Sequence, residues 1–494
     1  MSGYTIGLDV GSSSIKASVL EIDTNKVVGS FTSPADKELP IIAPHPGWAQ
    51  QHPDTWWDNS KIAIANALNG SGVNGSDVKA IGVTYQMHGM TPVDVEGKPL
   101  MDAIIWCDGR TTEEKASVEG DIILTRKFLE ECLNTPGHFT ASKLAWFKKN
   151  RPNLYERLDS MLLPGHYILR RATGESTTTA SGLSEGVLWN FKDMLLSHKT
   201  INHFRLNMKH VPRIEPTFGM HGILTKESAL ELGLKEDTPF TYFAGDQPNN
   251  AFSLNVLEPG EIAATAGTSA VIYGVTDKLE YDPETRVNQF LHVNSSTKDH
   301  SNLRIGILAC INGAGISYRY FKDELGGENY RRMDGLAASV EDTYGLIYIP
   351  FGNNAERTQQ DKNTGAHLIG LDLNRHTNGH IYRAVQEGIV FAMKYGADVM
   401  HDMGMPIKNI RAGNANMFKS PLFGQMFSDA LQAPVELYNT DGSVGAARGA
   451  AIGLGEYDLK TAFSGLERIT AFEPGKNMDE KYQRLCEIVE KTSK

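Results

Sequence analysis

GLDVGSSSIKASVLEID, Gly7 to Asp23, is the stretch on which the fold turns. Ile6, Leu8 and Val10 alternate with smaller or polar residues before a Gly-Ser-Ser-Ser turn, and Ile15, Ala17 and Val19 alternate after it. This period of two predicts two half-buried strands joined by a hairpin. The turn keeps unusual company, with Asp9 at its entrance and Lys16 at its exit. Gly11 lets the backbone approach a ligand closely, and successive turn amides can form an anion-binding nest. Ser12, Ser13 and Ser14 add hydroxyl donors, and Lys16 adds a point charge. Asp9 would repel a bare phosphate, but a Mg²⁺ ion held between carboxylate and phosphates removes the conflict. The hairpin therefore reads as a site for a magnesium-bound nucleotide phosphate. The competing reading is an ordinary hairpin with a solvated acid.

Moving outward, Asp23-Thr24-Asn25 is a turn and KVVGSF a third antiparallel strand. A proline-rich loop from Pro40 to Pro53 leads into a helix whose buried face is read as Trp57, Ile64, Ala65 and Leu68. VKAIGVTY is a short buried strand. The hairpin plan then returns at residues 261–275, EIAATAGTSAVIYGV, with Gly267-Thr268-Ser269 as the turn and Thr265 where Asp9 stands in the first copy. Either Gly-Ser/Thr turns recur by chance, or a duplication has produced two similar α/β halves with a cleft between them. On the second reading residues 1–238 form the first domain, with the acidic Mg/phosphate hairpin. Residues 239–455 form the second, with the other hairpin, and 456–494 are a helical segment that packs back on the first. In the helix YRAVQEGIVFAMKYGADVM, residues Val385, Ile389, Ala392, Met393 and Gly396 share one face, expected to be core of the second half.

The chain has 494 residues, 40% of them hydrophobic and 22% charged, which suits a globular protein of two domains rather than one core. A formal net charge of -11 argues against nonspecific nucleic-acid binding, which depends on clustered Lys and Arg. Cys107, Cys132, Cys310 and Cys486 are scattered, without a CxxC pair, and read as reduced packing residues. The chain opens straight into a strand, and no apolar run reaches the ~20 residues of a membrane helix. The expectation is a soluble cytoplasmic protein without membrane partners.

Three further stretches bear chemistry. In FAGDQPNNAF a short apolar strand ends at Gly245, and Asp246 follows at once. A carboxylate there can take the proton of an attacking hydroxyl, with Gln247 hydrogen-bonding a polyol; an Asp-capped turn opening a helix is the alternative. In TYQMHGM, Gln86 and His88 offer polar contacts and Met87 a soft apolar wall, although a lone histidine also serves as a structural residue. In WCDGR, Asp108 and Arg110 can simply pair with each other.

Taken in order, LDVGSSSIK, HPGWAQQHPDTWW, TYQMHGM, IIWCDGR, FTASKLAWF, LLPGHYILRRATGE, AGDQ, ATAGTSA, ERTQQD and DGSVGAARGAAIG resemble the FGGY carbohydrate kinases, and within them the xylulokinase branch. The resemblance implies two domains of ribonuclease-H/actin-like α/β fold with a catalytic cleft between them. It implies ATP and Mg²⁺ as cofactors, with D-xylulose the phosphoryl acceptor. By motif, Asp9 matches the Mg-associated acid, Gly11 to Ser14 the first phosphate loop, Gly267 to Ser269 the second, and Asp246 the general base. Met87 and His88 match the sugar-contacting pair, and Gln247 the amide after the base. Gly313, Gly413 and Asn414 complete the nucleotide set. Two departures stand out. The family's triple-glycine adenosine motif is here RAGNANMFKSPLFGQMFSDAL, depleted in glycine. Gln247 is asparagine in many xylulokinases and glutamine in glycerol kinases, whereas QMHG differs from the arginine-containing glycerol kinase pattern. Another ketopentose, a polyol or glycerol remains an alternative acceptor. An actin-like nucleotide-binding or sugar-sensing protein would keep the hairpins but has no use for Asp246, Gln247 and QMHG together. A homodimer is the commonest symmetric assembly.

Overall fold

The computed structural model describes residues 3–492 except 325, 327, 328, 354 and 355. Two compact units emerge. The first comprises Met1–Asn255, Phe290–Leu303 and Thr440–Leu466; the second comprises Val256–Gln289, Arg304–Asn439 and Glu467–Lys494.

The first unit is built on strands β1 (Tyr4–Val10), β2 (Ile15–Glu21), β3 (Lys26–Ser33), β4 (Val78–Tyr85), β5 (Phe218–Ile223) and β6 (Pro239–Gly245), in the order β5-β6-β4-β1-β2-β3. β1, β2 and β3 form an antiparallel meander, β1, β4 and β6 run parallel, and β5 pairs antiparallel at the edge. Helices α1 (Pro53–Ser71), α2 (Thr140–Asn150) and α3 (Asp246–Ser253) belong to the same unit.

The second sheet has seven strands, and six of them repeat this plan. Those six are β7 (Glu261–Ala266), β8 (Ala270–Thr276), β9 (Ile305–Ile311), β10 (Asn409–Gly413), β11 (Val435–Tyr438) and β12 (Arg468–Phe472), and the seventh, Asn288–Leu291, lies at the edge beside β9. β7, β8 and β9 form the antiparallel meander, β7, β10 and β11 run parallel, and β12 is the antiparallel edge. Helices α4 (Ala314–Glu324), α5 (Tyr330–Ala338) and α6 (Asn378–Asp402) follow the meander, as α1 follows the first one. The hairpin echo is thus a repeat of a whole topology.

Alternation along β1 sends its two faces to different work. Ile6, Leu8 and Val10 enter a core with Trp56, Trp57, Ile64 and Leu68 of α1. Thr5, Gly7 and Asp9 point the other way, toward helix α7 (Gly442–Leu454), where Thr5 Oγ1 donates to the Ala447 carbonyl at 2.8 Å. A methyl group on Gly7 would strike the Ser443 carbonyl, and one on Gly82 of β4 the Ala446 carbonyl. This helix lies on the sheet backbone to backbone, which only glycine permits.

A cut near Pro239 does not divide the units. β6 is a buried central strand of the first sheet, so Asp246 is carried by the first unit, and the chain returns at 440–466 because α7 covers that same sheet. The terminal segment also differs from expectation. Helix α8 (Asp479–Thr492) packs on its own, second unit, where Tyr482 Oη donates to Asp398 at 2.6 Å and Lys481 bonds Glu387 at 3.2 Å, both acids on α6. Ala65 is exposed, because α1 buries Ala63, Ile64, Ala67 and Leu68 and turns Ala65 outward. Val385, Ile389, Ala392, Met393 and Gly396 are all buried in α6. Among the described residues no helix is long and apolar enough to cross a membrane, and the four cysteines form no disulfide.

Candidate active site

In the first unit Asp9 stands near the end of β1, directly opposite Lys16. The hairpin turn is closed by Gly11 N donating to the Ser14 carbonyl at 3.1 Å. Its outward carbonyls are held from outside, Ser12 O by Gln51 Nε2 at 2.7 Å and Ser13 O by Leu39 N at 2.7 Å, while Trp106 Nε1 donates to Ser12 Oγ at 3.3 Å. Lys16 is engaged: its Nζ lies 2.6 Å from Asp441 Oδ2. Asp441 caps α7, accepting from Val444 N at 3.2 Å and Ser443 Oγ at 2.7 Å. Burial works against its charge, but Lys16 and these bonds outweigh it and hold its carboxyl below the usual range.

Asp246 is the first residue of α3, delivered by the central strand β6 to a helix start, where backbone amides favour an acid. It is half-buried, as is Asp9. Burial pushes Asp246 up to about 7, against hydrogen bonds from Gln247. Asp9 is pushed up to about 7 by burial first and then by the charges of Asp246 and Asp441, with Lys16 opposing. Three acids therefore converge here. Glu185 is a fourth, 1% exposed, driven well above the usual carboxylate range by burial and by Asp246. Among the described residues no three of these side chains are grouped closely enough to hold a metal ion by themselves; a hard divalent cation bound here would lean on Asp9 and complete its shell with water and phosphate oxygens.

The QMHGM loop leaves β4 beside this cluster. His88 adopts a left-handed conformation, φ 62°, with its ring 4.5 Å from that of Phe139 and 5.3 Å from that of Phe290. Its Nδ1 lies 2.9 Å from the Glu185 carbonyl, an acceptor only, so Nδ1 carries the proton and Nε2 is left to accept. Burial, with Lys143 nearby, pushes His88 down to about 3, keeping the imidazole neutral. Met87 is buried against Gly245. Gln86 lies inside: its Nε2 donates to Gln51 Oε1 at 3.2 Å, and it braces the first hairpin rather than the cluster. Asp108 and Arg110 pair fully buried at 2.7 Å, with the guanidinium over Trp48 and Trp146.

In the second unit the hairpin turn borders a cavity of about 850 Å³. Gly267 and Thr268 line it, with Tyr318 and Arg319 of α4, Tyr330, Arg331 and Asp334 of α5, and Asn416 to Leu422 except Phe418. Tyr318 and Tyr330 stack at 5.9 Å and 16°. Tyr318 Oη and Gln386 Nε2 both bond Asp334 Oδ1, at 2.8 and 2.9 Å. Ser269, Gly313, Gly413 and Asn414 are not in the lining. Gly313 N donates to Glu356 Oε1 at 3.0 Å, and a side chain there would collide with the Pro350 carbonyl. Asn414 N donates to Tyr438 O at 2.9 Å, and Asn416, with φ 51°, reaches the cavity instead. Asp441 was readable as the helix-capping Asp of DGS; Glu185, Lys143 and the tyrosines carried no local signal.

Two repeated α/β units with phosphate-type hairpins, one acidic and one beside an aromatic-lined cavity, define a two-domain kinase of actin-like ATPase fold. The N-terminal domain of the FGGY family of carbohydrate kinases matches residues 4–253, and its C-terminal domain matches residues 263–454. The chain belongs to the FGGY family of carbohydrate kinases. Members of this family use ATP as co-substrate, generally with Mg²⁺. The chain is 27% identical to a xylulose kinase of Bacillus subtilis (strain 168), over 98% of this chain and 95% of that one. It is 26% identical to a glycerol kinase of Thermococcus gammatolerans, over 98% and 96%. The crystal structure of xylulose kinase from Rhodospirillum rubrum superposes with a TM-score of 0.86 at 24% identity, covering 99% of this chain and 98% of that one.

Proposed function

We propose that this kinase transfers the γ-phosphoryl group of MgATP to a terminal hydroxyl of D-xylulose, giving D-xylulose 5-phosphate and ADP. The observation that carries the reading is Asp246: a half-buried carboxylate at the mouth of a central strand, raised to about 7 and neighboured by Asp9. As the hydroxyl oxygen attacks phosphorus and the bond to the ADP oxygen breaks, Asp246 accepts the hydroxyl proton. Mg²⁺, when bound near Asp9, neutralises phosphate charge. His88 Nε2 accepts a hydrogen bond from a sugar hydroxyl, Met87 packs on its carbon face, and Gln247 bonds a second hydroxyl. The amides of Ser12 to Ser14, in the turn that Gly11 closes, and of Gly267 to Ser269 donate to phosphate oxygens, with the adenosine in the cavity between Tyr330 and Asn416.

QMHG and the xylulose kinase relatives support the ketopentose; Gln247 and the glycerol kinase relative favour a second reading, a shorter polyol. ADP release with D-xylulose, L-xylulose, D-ribulose, L-ribulose, glycerol and no acceptor separates them. Turnover led by D-xylulose and lost in Asp246→Ala is the expected result. A different leading acceptor replaces the substrate and keeps the mechanism. Acceptor-independent hydrolysis untouched by the mutation overturns the kinase reading of this site.

A further inference from the structure

We propose that Lys143 is a positioning residue for the acceptor: together with Thr140 it clamps the His88–Gly89 turn from behind, fixing where Met87 and His88 stand. The inference rests on the sugar-kinase reading above.

Lys143 lies on α2 and is 0% exposed, a state that lysine avoids unless its charge has a partner. Its Nζ donates to the His88 carbonyl at 2.6 Å. Thr140, one turn earlier on the same face of α2, donates from Oγ1 to the next carbonyl, Gly89 O, at 3.2 Å. Phe139, which precedes the helix, packs on the His88 ring. Three residues at the start of one helix thus grip two consecutive peptides of one turn.

The turn needs gripping. His88 sits at φ 62°, a region that non-glycine residues leave when nothing holds them. Relaxation there would swing the imidazole away from the Glu185 carbonyl, which sets its tautomer, and would shift Met87 off Gly245. Among the described residues Lys143 forms no ion pair within 4 Å. Asp108, the acid that most favours its charge, is committed to Arg110 through bonds of 2.7 and 2.8 Å. A leucine or methionine would fill the volume equally well; what lysine adds is a donor aimed at the carbonyl behind His88.

The test is steady-state kinetics on the whole protein with its best acceptor. Lys143→Met is expected to raise the acceptor KM about tenfold, since small misplacements of binding groups are costly. The kcat and the KM for MgATP stay within about threefold, the signature of lost acceptor binding. Lys143→Gln, which keeps a donor without the charge, recovers part of the loss, and Thr140→Val gives a smaller rise of the same kind. An acceptor KM unchanged in Lys143→Met, a uniform loss in kcat and both KM values, or a Gln variant as weak as the Met variant overturns the clamp. If Lys143→Met does not fold, wild-type acceptor KM values in both Lys143→Gln and Thr140→Val overturn it, and raised values support it. A wild-type protein that neither binds nor phosphorylates any acceptor sinks the functional reading and the clamp together, an outcome separate from the others.

Discussion

The two hairpins share a glycine turn and a place in matching sheets, yet one is surrounded by acids and the other by tyrosines. Where Asp9 faces Lys16 in the first, Thr265 faces Val271 in the second. The same backbone device carries acidic charge in one unit and borders an aromatic-lined cavity in the other. On the functional reading above, damage to the first unit should appear in kcat and damage to the second in the KM for nucleotide.

The sharpest division comes from Asp246→Asn. It should lower kcat about 10³-fold, the scale of general-base loss, while acceptor affinity by calorimetry stays within a few-fold. Wild-type turnover in that variant would remove the asymmetry altogether. Asp9→Asn should cost roughly 10²-fold in kcat and shift the Mg²⁺ requirement upward in a metal titration. On the other side, Tyr330→Ala should raise the KM for MgATP roughly fivefold, the worth of one aromatic contact, with kcat unchanged; a kcat effect there would blur the comparison.

The smallest effect is one of pH. The kcat/KM profile should fall on the acid side of about 7 as Asp246 takes up its proton. Stability runs in the opposite sense. The folded protein raises this carboxyl above its unfolded value of 3.8, so the protonated form is favoured by folding. That contribution is complete below the unfolded value and is lost as pH rises through about 7. Asparagine mimics the protonated state, so Asp246→Asn should melt about 2–4 °C above wild type at pH 8, with the gap closing toward pH 5. An equal gap at both pH values would place the strain elsewhere.

Much of this division was legible in the chain. The alternation around Gly11 and Gly267 located both hairpins, and Asp246 at the end of an apolar strand announced its own position. The Asp108–Arg110 pair followed from a spacing of two. What stayed hidden was whatever depends on distant segments meeting. Asp441 takes Lys16 across the first unit, and Glu185 has its carboxyl pushed upward only because burial and Asp246 surround it. Tyr318 and Tyr330 look like ordinary helical residues until they stack. Local pattern also misled at Ala65 and at the cut near Pro239, where a central strand and a returning helix override sequence order.

The glycine-lined seat of α7 has a consequence for altering this enzyme. Because that helix meets the main chain of the sheet directly at Gly7 and Gly82, Asp9 and Asp441 are referenced to one close seam. One added carbon at Gly7 or Gly82 would act as a lever, moving both acids without touching any ligand. Efforts to retarget the acceptor therefore belong on the loops, where a new side chain changes only its own neighbourhood.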